Sequence, residues 1–149
     1  MNDYFDFLRR IFFFKSLSDQ EIRLVADACH EERHGSGDIL FLEGSTADRC
    51  YIVLEGRVEV WRDYNAAQPS LLGVHGTGHF FGELALLDEL PRSATVVARE
   101  STRVLFLYRD DFRDLIRTHS SIALSVMVSI SMMLRSSNEV FLEDLKKRN

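Results

Sequence analysis

All eight glycines of this chain fall between residues 35 and 82, at Gly35, Gly37, Gly44, Gly56, Gly73, Gly76, Gly78 and Gly82. Between and after them lie short β-branched and aromatic runs: DILFL, CYIVLE, RVEVW, LLGVH, ATVVA and TRVLFLY. Strands this short, separated by turn signals this often, point to a small barrel or roll. RVEVW alternates, so one of its faces should meet water. CYIVL is almost wholly apolar and should be buried more completely. The stretch from Asp63 to Ser70 carries Pro69 among polar residues and reads as a hairpin tip.

Helical patterns flank this region. Ser18 and Glu21 form an S-x-x-E capping box, followed by Ile22, Val25 and Cys29 at helical spacing. Phe5, Leu8, Ile11 and Phe12 suggest an earlier amphipathic turn. After Tyr108, Asp110 or Asp111 can cap a helix bearing Phe112, Leu115 and Ile116. A longer helix should run from about Ser120 toward Leu145. In it Leu124, Met127, Ser131, Leu134, Asn138, Phe141 and Leu145 follow heptad spacing. Its other faces also carry Ile, Val and Met, and a helix apolar on several faces wants several partners. The roll supplies one. The second is either another copy of the chain, giving a homodimer, or a wider face on the same domain.

The expected fold is therefore mainly β with flanking helices: an eight-stranded β-roll or jelly roll with N-terminal helices and a C-terminal helical lid. It forms a single domain over residues 1–149, with N-terminal helices over 1–30, the roll over 31–108 and the C-terminal helices over 110–146. At 149 residues such a domain can bury a core without cross-links.

Composition narrows the function. The net charge of −5 argues against general nucleic-acid binding, which needs a basic face. Cys29 and Cys50 cannot build a disulfide framework and lack metal-ligand spacing. The N-terminus has no cleavage site, and the most apolar stretch, Ile122 to Leu134, is interrupted by serines and short for a bilayer. A cytoplasmic protein without a membrane partner is expected. After Leu145 come only Lys146, Lys147, Arg148 and Asn149, so no helix-turn-helix follows and DNA is not an expected partner. A stand-alone chain is the expectation, and a piece of a longer protein is the alternative.

The chemistry concentrates in FGELALLDELPRSATV, residues 81–96. A strand ends at Phe81, and Gly82 allows a tight turn and close approach by a ligand. ELALLDE has the composition of a helix of one or two turns, whose free N–H groups favour an anion. Pro91 ends it, placing Arg92 at the junction with the next strand. An arginine fork beside free N–H groups can cradle two phosphate oxygens. Glu83 fits beside an anion only if the ligand also presents a hydroxyl, such as a ribose 2′-OH. On the residues alone a second reading stands: Arg92 and Glu83 pair with each other and no ligand is involved.

This segment closely resembles the phosphate-binding cassette of cyclic-nucleotide-binding domains. The resemblance extends in order through F-x-x-L-S-D-Q-E-I at Phe14–Ile22, GDILFLEG at Gly37–Gly44, YIVLEGRVEV at Tyr51–Val60 and G-x-x-F-G-E at Gly78–Glu83. It implies that Arg92 binds the exocyclic phosphate oxygens and Glu83 the ribose 2′-OH. Backbone at Gly82, Leu84 and Ala85 would line the cassette, and Ser93 would add a hydroxyl. Some members set two adjacent hydroxyl residues of the last helix against adenine; the ungapped equivalents here are Ser137 and Asn138, and Asn138 offers both donor and acceptor. The ligand implied is cAMP in preference to cGMP, with no cofactor and no metal. The C-terminal helix would then signal to an effector protein.

An enzyme is not expected. No Ser or Cys stands in a nucleophile setting. His75 and His79 are separated by glycines, which suits loop histidines better than a metal pair. The rival to the sensor is a degenerate module that keeps the roll for structure or dimerisation and binds no nucleotide.

Overall fold

The CYIVLE and TRVLFLY runs become the two longest strands of a computed structural model that describes residues 4–82 and 87–148. The strands are β1 (His30–His34), β2 (Ile39–Phe41), β3 (Arg49–Glu55), β4 (Val58–Arg62), β5 (Ser70–His75), β6 (Phe80–Phe81), β7 (Thr95–Ala98) and β8 (Thr102–Tyr108). All pairings are antiparallel, in two four-stranded sheets ordered β1-β8-β3-β6 and β2-β7-β4-β5. Residues 63–69 cap the β4–β5 hairpin, as Pro69 and its polar neighbours suggested. The eight-stranded roll is the fold expected.

Burial explains why β3 and β8 lack a polar face. Cys50 and Ile52 of β3, Leu105 and Leu107 of β8 and Phe80 of β6 point into one core with the helices. Tyr51, Val53, Val104, Phe106 and Phe81 point the other way, against Val58 and Val96 of the second sheet. The first sheet is thus a middle layer, and its central strands β3 and β8, covered on both faces, read as continuous apolar runs. β4 has only one covered face, so Val58 is buried whereas Glu59 and Trp61 are partly exposed. β1 lies at the sheet edge with a charged sequence, HEERH. Glu31 accepts from Arg103 Nε at 2.5 Å and from Tyr4 Oη at 2.9 Å, tying the N-terminus to the strand.

Two short helical pieces, α1 (Phe5–Arg9) and a 3₁₀ turn (Phe12–Phe14), precede α2 (Asp19–Ala28). The capping box forms reciprocally: Glu21 N donates to Ser18 Oγ at 3.2 Å, and Ser18 N donates to Glu21 Oε1 at 2.8 Å. After β8 comes α3 (Arg109–Thr118), where Tyr108 occupies the N-cap without a side-chain hydrogen bond. Asp110 and Asp111 are therefore first-turn residues rather than caps, and favour the helix through its dipole.

The last helix, α4 (Ser120–Arg148), begins and ends as the sequence suggested. Its buried face is Ile122, Ser125, Val126 and Ser129, set on the 3₁₀ turn and α3. Ser125 Oγ donates to the Phe13 carbonyl at 3.1 Å and lies 2.8 Å from Ser16 Oγ. From Ser131 to Arg148 every side chain is exposed. The heptad positions lie off the buried face: Leu124, Met127, Leu134 and Phe141 are each 60% exposed or more. At 29 residues, with an 18-residue window of mean hydropathy 1.2, α4 is longer than the apolar stretch read from sequence and meets the length and composition needed to cross a bilayer. Its first turns instead lie in the protein core.

Candidate functional site

Strand β6 delivers Phe81 into the roll, and the chain turns at Gly82 with φ +72°. A Cβ at residue 82 would lie 2.6 Å from Arg92 Nη1. Glycine is needed here twice over, for the dihedral and for the space. The segment returns through an Asx-type turn in which Leu90 N donates to Asp88 Oδ1 at 3.1 Å. The helix expected over ELALLDE, residues 83–89, begins on residues 83–86, which with Glu83, Leu84 and Ala85 lie outside the described residues; in its second half Leu87 is a turn residue and Asp88 to Leu90 carry no regular structure.

Arg92 is pinned by its own backbone. Its N–H donates to the Ser45 carbonyl at 2.9 Å, and its carbonyl accepts from Gly44 N at 2.8 Å. Three residues on, Thr95 Oγ1 accepts from Glu43 N at 2.9 Å, so the entry to β7 is stitched to the β2–β3 loop. The side chain turns inward and is only 7% exposed. Its guanidinium carbon lies 4.1 Å from the centre of the Phe41 ring and 5.8 Å from that of Tyr51. Nη2 donates to the Arg49 carbonyl at 2.6 Å. Nε and Nη1 are buried with no hydrogen-bond partner among the described residues.

Among the described residues that arrangement is electrostatically unfinished. A guanidinium is costly to bury unless its donors are satisfied and its charge is met. Ring faces and one carbonyl recover part of the cost, on the order of 2 kcal/mol for a desolvated cation–π contact. Burial draws the Arg92 pKa below the usual arginine value. An anion entering beside it would supply the missing acceptors.

Space for one exists. A cavity of about 220 Å³ is lined by Arg92, Gly82 and Ser93, with Phe41, Val60 and Leu90 among its apolar walls. Gly82, Arg92 and Ser93 of the sequence reading therefore meet at one opening. Ser93 is exposed and turns its hydroxyl-bearing residue to that opening. Ser137 and Asn138 do not join them: both lie on the exposed stretch of α4, apart from the cavity lining.

The residues that seat Arg92 were not read from the sequence. Phe41, Tyr51 and the Arg49 carbonyl belong to strands whose pattern announces only burial. The apolar runs containing Phe41 and Tyr51 indicated burial; they could not say that an arginine would fill the space between the two rings.

Comparison with known proteins agrees with this geometry. Residues 31–119 match the family model described as "Cyclic nucleotide-binding domain". The chain is 32% identical over 125 residues to the Cyclic AMP receptor protein of Thermus thermophilus, covering 84% of this chain and 58% of that relative. Its fold resembles the N-terminal domain of a transcriptional regulator from Streptomyces coelicolor A3(2), with TM-score 0.80 and 31% identity over 91% of this chain and 95% of the other. It also resembles the regulatory domain of Toxoplasma gondii PKA crystallised with cAMP, with TM-score 0.75 and 29% identity over 91% of this chain and 49% of the other. The match spans the roll, the unfinished arginine and α3 together: the chain belongs to the cyclic nucleotide-binding domain family.

Proposed function

We propose that this chain binds a cyclic nucleotide, cAMP in preference to cGMP, and reports its presence to a partner protein through α4. The observation that carries the reading is Arg92, buried at the edge of a cavity with two donors unsatisfied among the described residues. In this reading the cyclic phosphate accepts from Arg92, with Gly82, Leu84 and Ala85 contributing backbone and Ser93 a hydroxyl. Glu83 takes the ribose 2′-OH. The names of the Thermus relative and of the Toxoplasma complex support cAMP as the ligand.

The output is proposed from α4. Its exposed stretch is free to fold toward the cavity, bringing Ser137 and Asn138 to the purine edge, so α4 is the element whose position the ligand biases. No catalytic step is assigned: the protein acts by binding, as a cytoplasmic regulatory module without DNA or a membrane as partner. A second reading has its own support. The exposed heptad face of α4 suits a second copy of the chain, and a module that dimerises while binding nothing would also keep the roll.

Titration calorimetry with cAMP and cGMP separates the two. Binding of cAMP, lost by about 3–5 kcal/mol in Arg92→Ala because the phosphate is left buried without its partner, supports the sensor. No heat with either nucleotide at high micromolar concentration leaves the structural module.

A further inference from the structure

His75, the last residue of β5, and His79, just before β6, lie face to face across the intervening turn. Their ring centroids are 3.7 Å apart and their planes 4° from parallel. Gly73 leaves room for the pair, since a Cβ there would lie 3.0 Å from His75 Nε2. Backbone hydrogen bonds hold His79 against β3: its carbonyl accepts from Val53 N at 3.0 Å, and Gly78 N donates to the Val53 carbonyl at 2.8 Å.

The stack continues inward. His79 faces Phe81 at 6.5 Å and 15°. Phe81 lies on Tyr51 at 5.2 Å and 9°, and 6.1 Å from Phe41. Arg92 then rests on Phe41 at 4.1 Å. A column of rings therefore connects the histidine pair to the guanidinium of the ligand site.

Two neutral imidazoles stack well, whereas two imidazolium rings at this separation repel. Burial pushes both histidines below their ordinary value of 6.5, His79 to about 4 with help from its neighbour. Among the described residues no carboxylate acts on the pair to offset an added charge. On β4 and its flanks, Glu59 accepts from Trp61 Nε1 at 3.3 Å, Arg57 is paired with Glu100, and Glu55 accepts from Arg103 at 3.1 Å. None of these acts on either imidazole.

We propose that the His75–His79 pair is a proton-operated release for the ligand site: protonation opens the stack, loosens Phe81 and Gly82 beneath Arg92, and weakens nucleotide binding. The effect on affinity rests on the cyclic-nucleotide reading; the opening of the stack does not. The sign follows from linkage. His79 binds its proton less readily folded than unfolded, so the closed stack is fully favoured above pH 6.5 and gives way as pH falls toward 4.

The test follows imidazole C–H signals of the full chain by NMR from pH 7.5 to 3.5, together with the Tyr51 and Phe81 ring signals, in the wild type and in His79→Phe, which keeps a stacking ring without a titrating nitrogen. The ring signals should move in step with His79 in the wild type and stay still in the variant. Calorimetry with cAMP should show at least a threefold loss of affinity between pH 7.5 and 3.5 in the wild type, and less than twofold in the variant. Ring signals that ignore His79 overturn the proposal, as does an equal loss of affinity in both proteins. If Trp61 fluorescence shows His79→Phe unfolded, His75→Phe replaces it, since either change removes the paired charge. Absence of cAMP binding at pH 7.5 would overturn the ligand reading alone, and the ring titration would still decide the stack.

Discussion

Arg92 is stabilised against its own burial by two rings and one carbonyl, and two of its nitrogens lack partners among the described residues. A side chain placed that way serves binding better than it serves the empty fold. Arg92→Met keeps the apolar stem and removes the charge. Its thermal midpoint without nucleotide should equal or exceed the wild type's, while cAMP binding disappears; a clear drop in midpoint would show that the guanidinium is structural. Gly82→Ala tests the space rather than the charge. The added methyl meets Arg92 Nη1 and forces a strained dihedral, so a loss of about 1–3 kcal/mol in stability is expected by denaturant titration, together with at least tenfold weaker binding. Legibility divides at this scale too. Gly82 and Arg92 were visible because turn, proline and arginine stand close in sequence. Arg49, which supplies the carbonyl, stands 43 residues from Arg92, and no local pattern could pair them.

Among the elements, α4 shows how spacing and burial can part company. Its heptad stripe was legible, but the face buried in the chain is the neighbouring one, Ile122, Ser125, Val126 and Ser129. Two of those four are serines, and hydrogen bonds to Phe13 and Ser16 satisfy Ser125. A hydrophobicity pattern passes over such a face. In the second reading the stripe left outside pairs two chains, with Asn138 at an interior position setting their register. Leu134→Lys should then shift the mass measured by sedimentation from dimer to monomer with a change in the monomer's stability within about 0.5 kcal/mol. An unchanged mass, or a monomeric wild type, would refute pairing through this helix. The strands were read more securely because short β-branched and aromatic runs stand between turn signals, and in RVEVW period-two alternation maps directly onto two faces. What alternation could not reveal was that β3 and β8 form a middle layer, since a strand covered twice shows no alternation.

For the molecule as a whole, the ordered motifs gave the roll and its flanking helices, while the position of α4 relative to the cavity depended on packing between distant segments. A ligand that completes Arg92 should stabilise the folded chain as a unit. Saturation at a hundred times the dissociation constant is worth about 2.7 kcal/mol, a rise in thermal midpoint of about 5–11 °C at about 2–4 °C per kcal/mol for a domain near this size. Scanning fluorimetry with cAMP reads it directly, and no shift at saturation would contradict binding to the folded state.

The hydrogen bonds that lock Arg92 between Gly44 and Ser45 also bear on how the chain acquires its structure. They close a long loop, and β2 cannot pair with β7 until that loop is closed. Such closures carry an entropic cost before their contacts form, and proteins dominated by them fold in milliseconds to seconds. During synthesis the first half of the roll must wait, edges open, until β7 and then β8, which ends at Tyr108, leave the ribosome. The arginine seat would then be among the last features to appear, and a nucleotide present at that moment would capture only chains that had already finished folding.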